Sequence, residues 1–334
     1  TNRRQRQMCI RDRYRAVDPG NARLRSLFAD TVNEGAWQLL WMPPSMPYYQ
    51  PGPPFDTDSA RTLTKRLVFS AWNAVPRVVS TLTSYEAERR MMKGSKRPNT
   101  PEARQKTPEL LRFPKRVTGM SAFALVYPSP ALAKLGDPLQ IVREHGDGLM
   151  SAESVLAIAE REIMAKLSKH LRKAEDGPED DQWYWAAPIL LDQAETGAQD
   201  WLRPTRRVES WVGKNGRSTA AGFDLHRKRA RDLEAGKLVL GSPPADLGAT
   251  LAMLAVAGPG NVALRSLGRI TAHRTLRYTR DEIRDGAARI AWAFRSLFNT
   301  PETTALVRGL YRKGPYWQKV LAYGVDGNIQ AVMD

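Results

Sequence analysis

Apolar positions along the chain recur mostly at helical spacing. Leu24, Leu27, Phe28 and Val32 fall at steps of three and four, which predicts an amphipathic helix over 20–35. Leu156, Ile163, Leu167 and Leu171 form a second stripe, with Glu162 four residues before Lys166. That spacing predicts a helix over 151–175, capped by Ser151 or Ser154. Residues 245–277 read as helix, "GPGN" turn, helix, with Asn261 as the second N-cap. Thr279 and Glu282 have capping-box spacing ahead of Ile283, Ala287, Ile290, Ala291, Phe294, Leu297 and Phe298. Thr300 followed by Pro301 opens the next helix, and Pro315 another. "QWYWAAPILLDQ" is aromatic and apolar throughout, which predicts burial.

Two short runs break this period. "LVF" at 67–69 is continuous rather than alternating, as in a strand covered on both faces. A helical pattern follows over 73–92, with Asn73 as its cap, Pro76 in its first turn and Val75, Val78, Val79, Leu82 and Tyr85 on one face. A strand at 66–70 with this helix behind it is half of a βαβ unit, and ligands in open α/β sheets sit at the carboxyl ends of strands, where Ser70 and Trp72 lie. A βα connection with no ligand fits the same residues. Phe123 to Tyr127 reads as a second strand, ended by Pro128 and Pro130, with Ser129 as a possible cap for a short helix. The expected fold class is therefore mainly α with a small α/β portion.

Between these elements, six prolines at 43–54 forbid helix and central strand. They predict a stiff connector packed on the domain, with Trp41, Tyr48 and Tyr49 available to pack or stack. The first thirteen residues, "TNRRQRQMCIRDR", lack any period and are set aside as an artefactual or disordered tail. "GNIQAVMD" starts a helical pattern at the other end, so a fragment open at both ends is expected.

Charge adds a partner class. The chain of 334 residues carries a formal net charge of +16, which favours a polyanion, most often nucleic acid. Two clusters concentrate it. Residues 86–117 hold ten Lys or Arg against four Glu, and 203–231 hold nine against Glu209 and Asp224. In the second cluster, Trp201, Arg203, Arg206, Arg207, Trp211, Lys214 and Arg217 interleave bases and aromatics, which suits phosphate neutralisation and base stacking. Core tryptophans with solvated arginines explain the same residues, and exposed tryptophan is uncommon. The site residues singled out for nucleic acid are Ser70, Trp72, Arg206, Arg207, Lys214 and Arg217.

Catalytic and metal motifs are not found. "GKNGRST" at 213–219 misses the phosphate-loop spacing, "EDGPEDD" at 175–181 is a carboxylate-rich loop, and His145, His170, His226 and His273 are scattered without cysteine partners. The one cysteine, Cys9, forbids an internal disulfide and fits a reducing cytoplasm. "LGATLAMLAVAGPG" is the nearest approach to a membrane span and is too short and broken by Gly and Pro.

"KRLVFSAW" followed by a helix resembles motif IV, the strand that opens the second RecA-like lobe of superfamily 2 helicases and Swi/Snf-type translocases. The phrases "LLWMPPSMPYYQPGPP", "LVYPSPALAKLGDP" and "YWQKVLAYGVDGNIQAVMD" look like large bacterial helicase-like proteins of phage-defence loci. The resemblance implies an incomplete second RecA-like lobe. Residues 14–130 would hold its start and the Pro-rich connector, and 131–334 a helical insertion. It places Ser70 near the nucleic-acid backbone. ATP and Mg would belong to the full-length protein and neither to this piece, which lacks the phosphate loop, the acidic box and motifs V and VI. Implied partners are nucleic acid, DNA ahead of RNA, and the first motor lobe of the same protein, with no membrane. The alternative is a non-enzymatic helical nucleic-acid-binding or scaffold protein.

Overall fold

The computed structural model describes residues 14–93, 98–105, 108–115, 119–146, 148–172, 174, 177–194, 201–203, 217–272 and 278–334, without the side chains of 101, 105 and 217–219. In chain order the α-helices are α1 (Ala22–Ala29), α2 (Asp58–Thr62), α3 (Ala74–Met91), α4 (Pro101–Gln105), α5 (Ser121–Val126), α6 (Pro130–Leu135), α7 (Pro138–His145) and α8 (Ala152–Leu171). They continue with α9 (Trp183–Asp192), α10 (Arg217–Glu234), α11 (Leu247–Ala257), α12 (Pro259–Ala272), α13 (Arg280–Phe298), α14 (Pro301–Leu310), α15 (Tyr316–Asp326) and α16 (Ile329–Met333). The protein is mainly helical. Among the described residues the only β pairing is one isolated bridge, Glu179 to Ser242.

Both expected strands are corrected. Residues 63–70 run outside any helix or ladder, so the strand near 66–70 does not form here. The N–H and C=O groups of 65–69 meet no hydrogen-bond partner among the described residues, and a strand without a neighbour has nothing to hold it. The run 123–127 lies in and just after α5, where Ala122 to Val126 are all buried. A helical turn enclosed on every side is apolar all round, and so loses the period that marks a surface helix.

Local signals otherwise set the helix ends. Ser129, Ser151 and Thr300 cap α6, α8 and α14 through their hydroxyls, and Thr279 with Glu282 closes a capping box on α13. Asn73 makes no capping bond. Asn261 is not a cap either: α12 starts at Pro259, and the buried Asn261 amide lies within the helix. There it accepts the Ser129 N–H at 3.0 Å and donates to Leu254 O at 3.0 Å. The expected helix over 20–35 is shorter, ending at Ala29.

One apolar core runs from Tyr49 to Ile329 and draws on both the 14–130 and 131–334 stretches. At its centre α11 packs on α8 and α15, and α12 on α13. The stretch Leu247–Ala272 has the length and hydropathy of a membrane span, but 83% of that window is buried inside the protein and Gly258 divides it into α11 and α12. Arg265 of α12, also buried, donates to Ala255 O at 2.7 Å and Val256 O at 2.7 Å, satisfying carbonyls left open where α11 ends.

The Pro-rich connector is packed on the helices, as expected of a stiff spacer. Trp41 stacks on Phe55 and meets Tyr323 edge-on, with its indole N–H donating to Gly327 O at 2.9 Å. The Asn328 side chain accepts the N–H groups of Tyr48 and Tyr49 and donates to Tyr49 O, which fixes the connector against α15 and α16.

Candidate nucleic-acid interface

A smaller apolar cluster lies beside the main core. Leu24, Phe28 and Val32 pack with Leu27, Trp37, Val79 and Leu82, joining α1 to α3. Above it α1, α3 and the 66–70 segment enclose a groove of about 730 Å³. Leu24, Leu27, Val79 and Leu82 contribute to its lining, as do Arg23, Asp30 and Arg66.

The segment beside this groove keeps its apolar side chains in solvent. Leu67 is 78% exposed, Val68 43%, Phe69 87% and Trp72 77%, and Val75 and Val78 on the first turns of α3 are exposed too. Exposed large apolar residues occur singly on most surfaces, whereas here six fall within twelve positions. Exposed cations accompany it: Arg23, Arg61, Lys65, Arg66 and Arg77. At the end of the segment, the Ser70 hydroxyl accepts the Trp72 N–H at 3.0 Å, a local turn that leaves the indole facing water. Ser70 and Trp72 therefore lie together on an open surface, not at the carboxyl end of a strand as expected.

The second sequence-predicted site divides. Arg206, Arg207, Trp211 and Lys214 lie outside the described residues, and Arg217 is the first residue of α10. Trp201 belongs to the core. Its indole N–H donates to Asp285 Oδ1 at 3.0 Å, and its ring lies between the guanidinium groups of Arg227 at 5.7 Å and Arg284 at 5.5 Å. Arginines of the same cluster turn inward as well. Arg227 donates to Trp201 O at 2.9 Å and Arg231 to Leu202 O at 2.8 Å, while Arg229 reaches Gln182. The first basic cluster is also partly spent internally. Arg89 and Arg90 both pair with the buried Glu86, and Arg104 with Glu88 and Glu302. The outward charge of both clusters is smaller than their composition suggests.

A buried polar network escaped the sequence reading. Asp192, 2% exposed, closes α9. It accepts hydrogen bonds from the Tyr127 hydroxyl at 2.7 Å, the Ser129 hydroxyl at 2.8 Å and the Ala131 N–H at 2.9 Å, with Arg284 at 3.9 Å. Burial raises its carboxyl to about 6 against these donors. Burial also raises Glu234, close by, to about 7. A single acidic residue ending the apolar phrase "WYWAAPILLD" was the one available signal. Its partners lie 61 to 92 positions away, beyond the reach of any spacing rule. The network ties α5, α6, α9 and α13 together.

Among the described residues no group of three or more His, Cys, Asp or Glu could hold a metal ion. No family model, curated protein or solved structure matches the chain.

Proposed function

We propose that this chain is the nucleic-acid-contacting part of an ATP-dependent helicase or translocase, and that it does not hydrolyse ATP by itself. The observation that carries the reading is the exposed patch around Phe69 and Trp72, flanked by Lys65, Arg66 and Arg77. Aromatic faces beside cations are what a nucleic-acid strand requires of a protein surface. In this reading residues 65–70 enter a RecA-like lobe and would pair only with strands supplied from elsewhere, and Ser70 and Trp72 sit where this segment meets α3. Lobe closure in the parent protein would then move the bound strand. The sequence has no phosphate loop, so in this reading ATP and Mg would belong to the rest of the parent protein.

The second reading is a non-enzymatic helical nucleic-acid-binding or scaffold protein. It is favoured by the single helical core spanning both stretches of the chain. Two experiments separate these and test nucleic-acid binding. Fluorescence anisotropy with labelled DNA should show binding that weakens between about 50 and 200 mM salt, as phosphate contacts demand. Joining the chain to an upstream phosphate-loop lobe, if one is encoded in the same reading frame, should give DNA-stimulated ATP turnover. Binding without any such lobe in the frame supports the second reading. No binding at low salt removes the first reading and leaves the scaffold form of the second.

A further inference from the structure

We infer that Phe69 and Trp72 form a stacking platform for single-stranded nucleic acid, with Arg23 and Arg66 taking phosphates along the adjoining groove and the exposed Lys65, next to Arg66 in the chain, adding to their charge. The inference rests on the nucleic-acid reading above and specifies its substrate: unpaired bases rather than duplex. Phe69 and Trp72 are the two most exposed aromatic side chains among the described residues for which a large hydrophobic surface is in solvent, and they lie three positions apart at the bend that enters α3. Neither makes a ring contact with another described aromatic residue, whereas Trp41, Trp201, Trp292 and Trp317 are all engaged in such contacts. Both π-faces are available to a base.

Charge selects the ligand. Arg23 and Arg66 line the groove against one acid, Asp30, and the exposed Lys65 precedes Arg66 outside the groove lining. An anionic ligand with flat apolar groups complements that combination. A single strand has both, because its bases can splay out from the phosphates. In duplex the bases are stacked on one another and only the phosphates remain, so the aromatics would gain nothing. The apolar floor, Leu24, Leu27, Val79 and Leu82, accepts a base or sugar edge without needing a hydrogen bond from it.

The test is an anisotropy titration of the full chain with labelled oligo-dT of about 20 nucleotides and with a duplex of the same length, at about 50 mM salt. The platform predicts roughly tenfold or greater preference for oligo-dT, and a roughly tenfold loss for Trp72→Ala and for Phe69→Ala that Trp72→Phe largely restores. Duplex affinity should barely change in these variants. Val239→Ala, at an exposed apolar position elsewhere, should behave as wild type. Equal binding of strand and duplex, indifferent to both aromatics, overturns the platform while leaving the nucleic-acid reading intact. Absence of all binding overturns both. Self-association that depends on Leu67 and Phe69 and blocks oligo-dT overturns it in favour of a protein contact.

Discussion

Replacing Asp192 tests whether the buried network holds the helices together. Asp192→Ala deletes the acceptor shared by Tyr127, Ser129 and the Ala131 N–H, and leaves the Arg284 guanidinium, itself buried, facing a vacated site. Breaking a buried charge pair from one side costs roughly 3–5 kcal/mol, against a typical total stability of about 5–15 kcal/mol. Asp192→Asn keeps the shape and one acceptor oxygen, so it isolates the charge. The native carboxyl titrates at about 6, whereas an unfolded carboxyl titrates at 3.8. Between these values the unfolded chain has released the proton and the native protein retains it. The native state thus binds more protons, and this group's contribution is complete below about pH 4 and declines as pH rises through about 6. Two units at about 1.36 kcal/mol each amount to roughly 3 kcal/mol across that window. Burial raises Asp326 and Glu234 in the same direction, and lowers His226 in the opposite one. The difference between wild type and Asp192→Asn removes these shared slopes. Urea unfolding at several pH values between about 4 and 7 should show wild type losing this increment relative to the variant. A flat difference curve, or an Asp192→Ala loss below about 1 kcal/mol, would refute the reasoning.

Other substitutions probe separate links. Gly136→Ala, where a Cβ would meet Ala255 Cβ at 2.4 Å and its carbonyl carbon at 2.7 Å, should force α6 away from α11 and cost about 1–3 kcal/mol or more in urea unfolding. Thr279→Ala removes one half of the α13 capping box and should cost about 1 kcal/mol by the same measurement. Phe69→Ser should leave stability within about 0.5 kcal/mol of wild type, because the ring is already in water; a larger loss would mean that the exposed patch is part of the fold.

The sequence disclosed helices such as α8, α13 and α14, but not α7 or α10, which also have a wet face. α8, α13 and α14 carry both a stripe and a hydroxyl cap, and both signals are local. It failed where burial erased the stripe, as at α5, whose "SAFALV" is as suited to a strand as to a helix until its surroundings are known. Residues 67–69 failed for the opposite reason. Their composition suits a strand, but pairing requires a neighbour, which composition does not report. Of the residues singled out from the sequence, Ser70 and Trp72 lie on the exposed segment that enters α3. In the 203–231 cluster, Trp201, Arg227 and Arg231 proved to be fold-holding groups, because a side chain's direction is fixed by contacts distant in sequence.

Ultraviolet cross-linking of oligo-dT to the full chain, with the adducts located by mass spectrometry, tests the proposed interface most directly. The account predicts adducts on the peptide carrying Phe69 and Trp72, lost when Arg23, Lys65 and Arg66 are reversed in charge. Adducts confined to other faces of the protein, with none between residues 65 and 78, would contradict it.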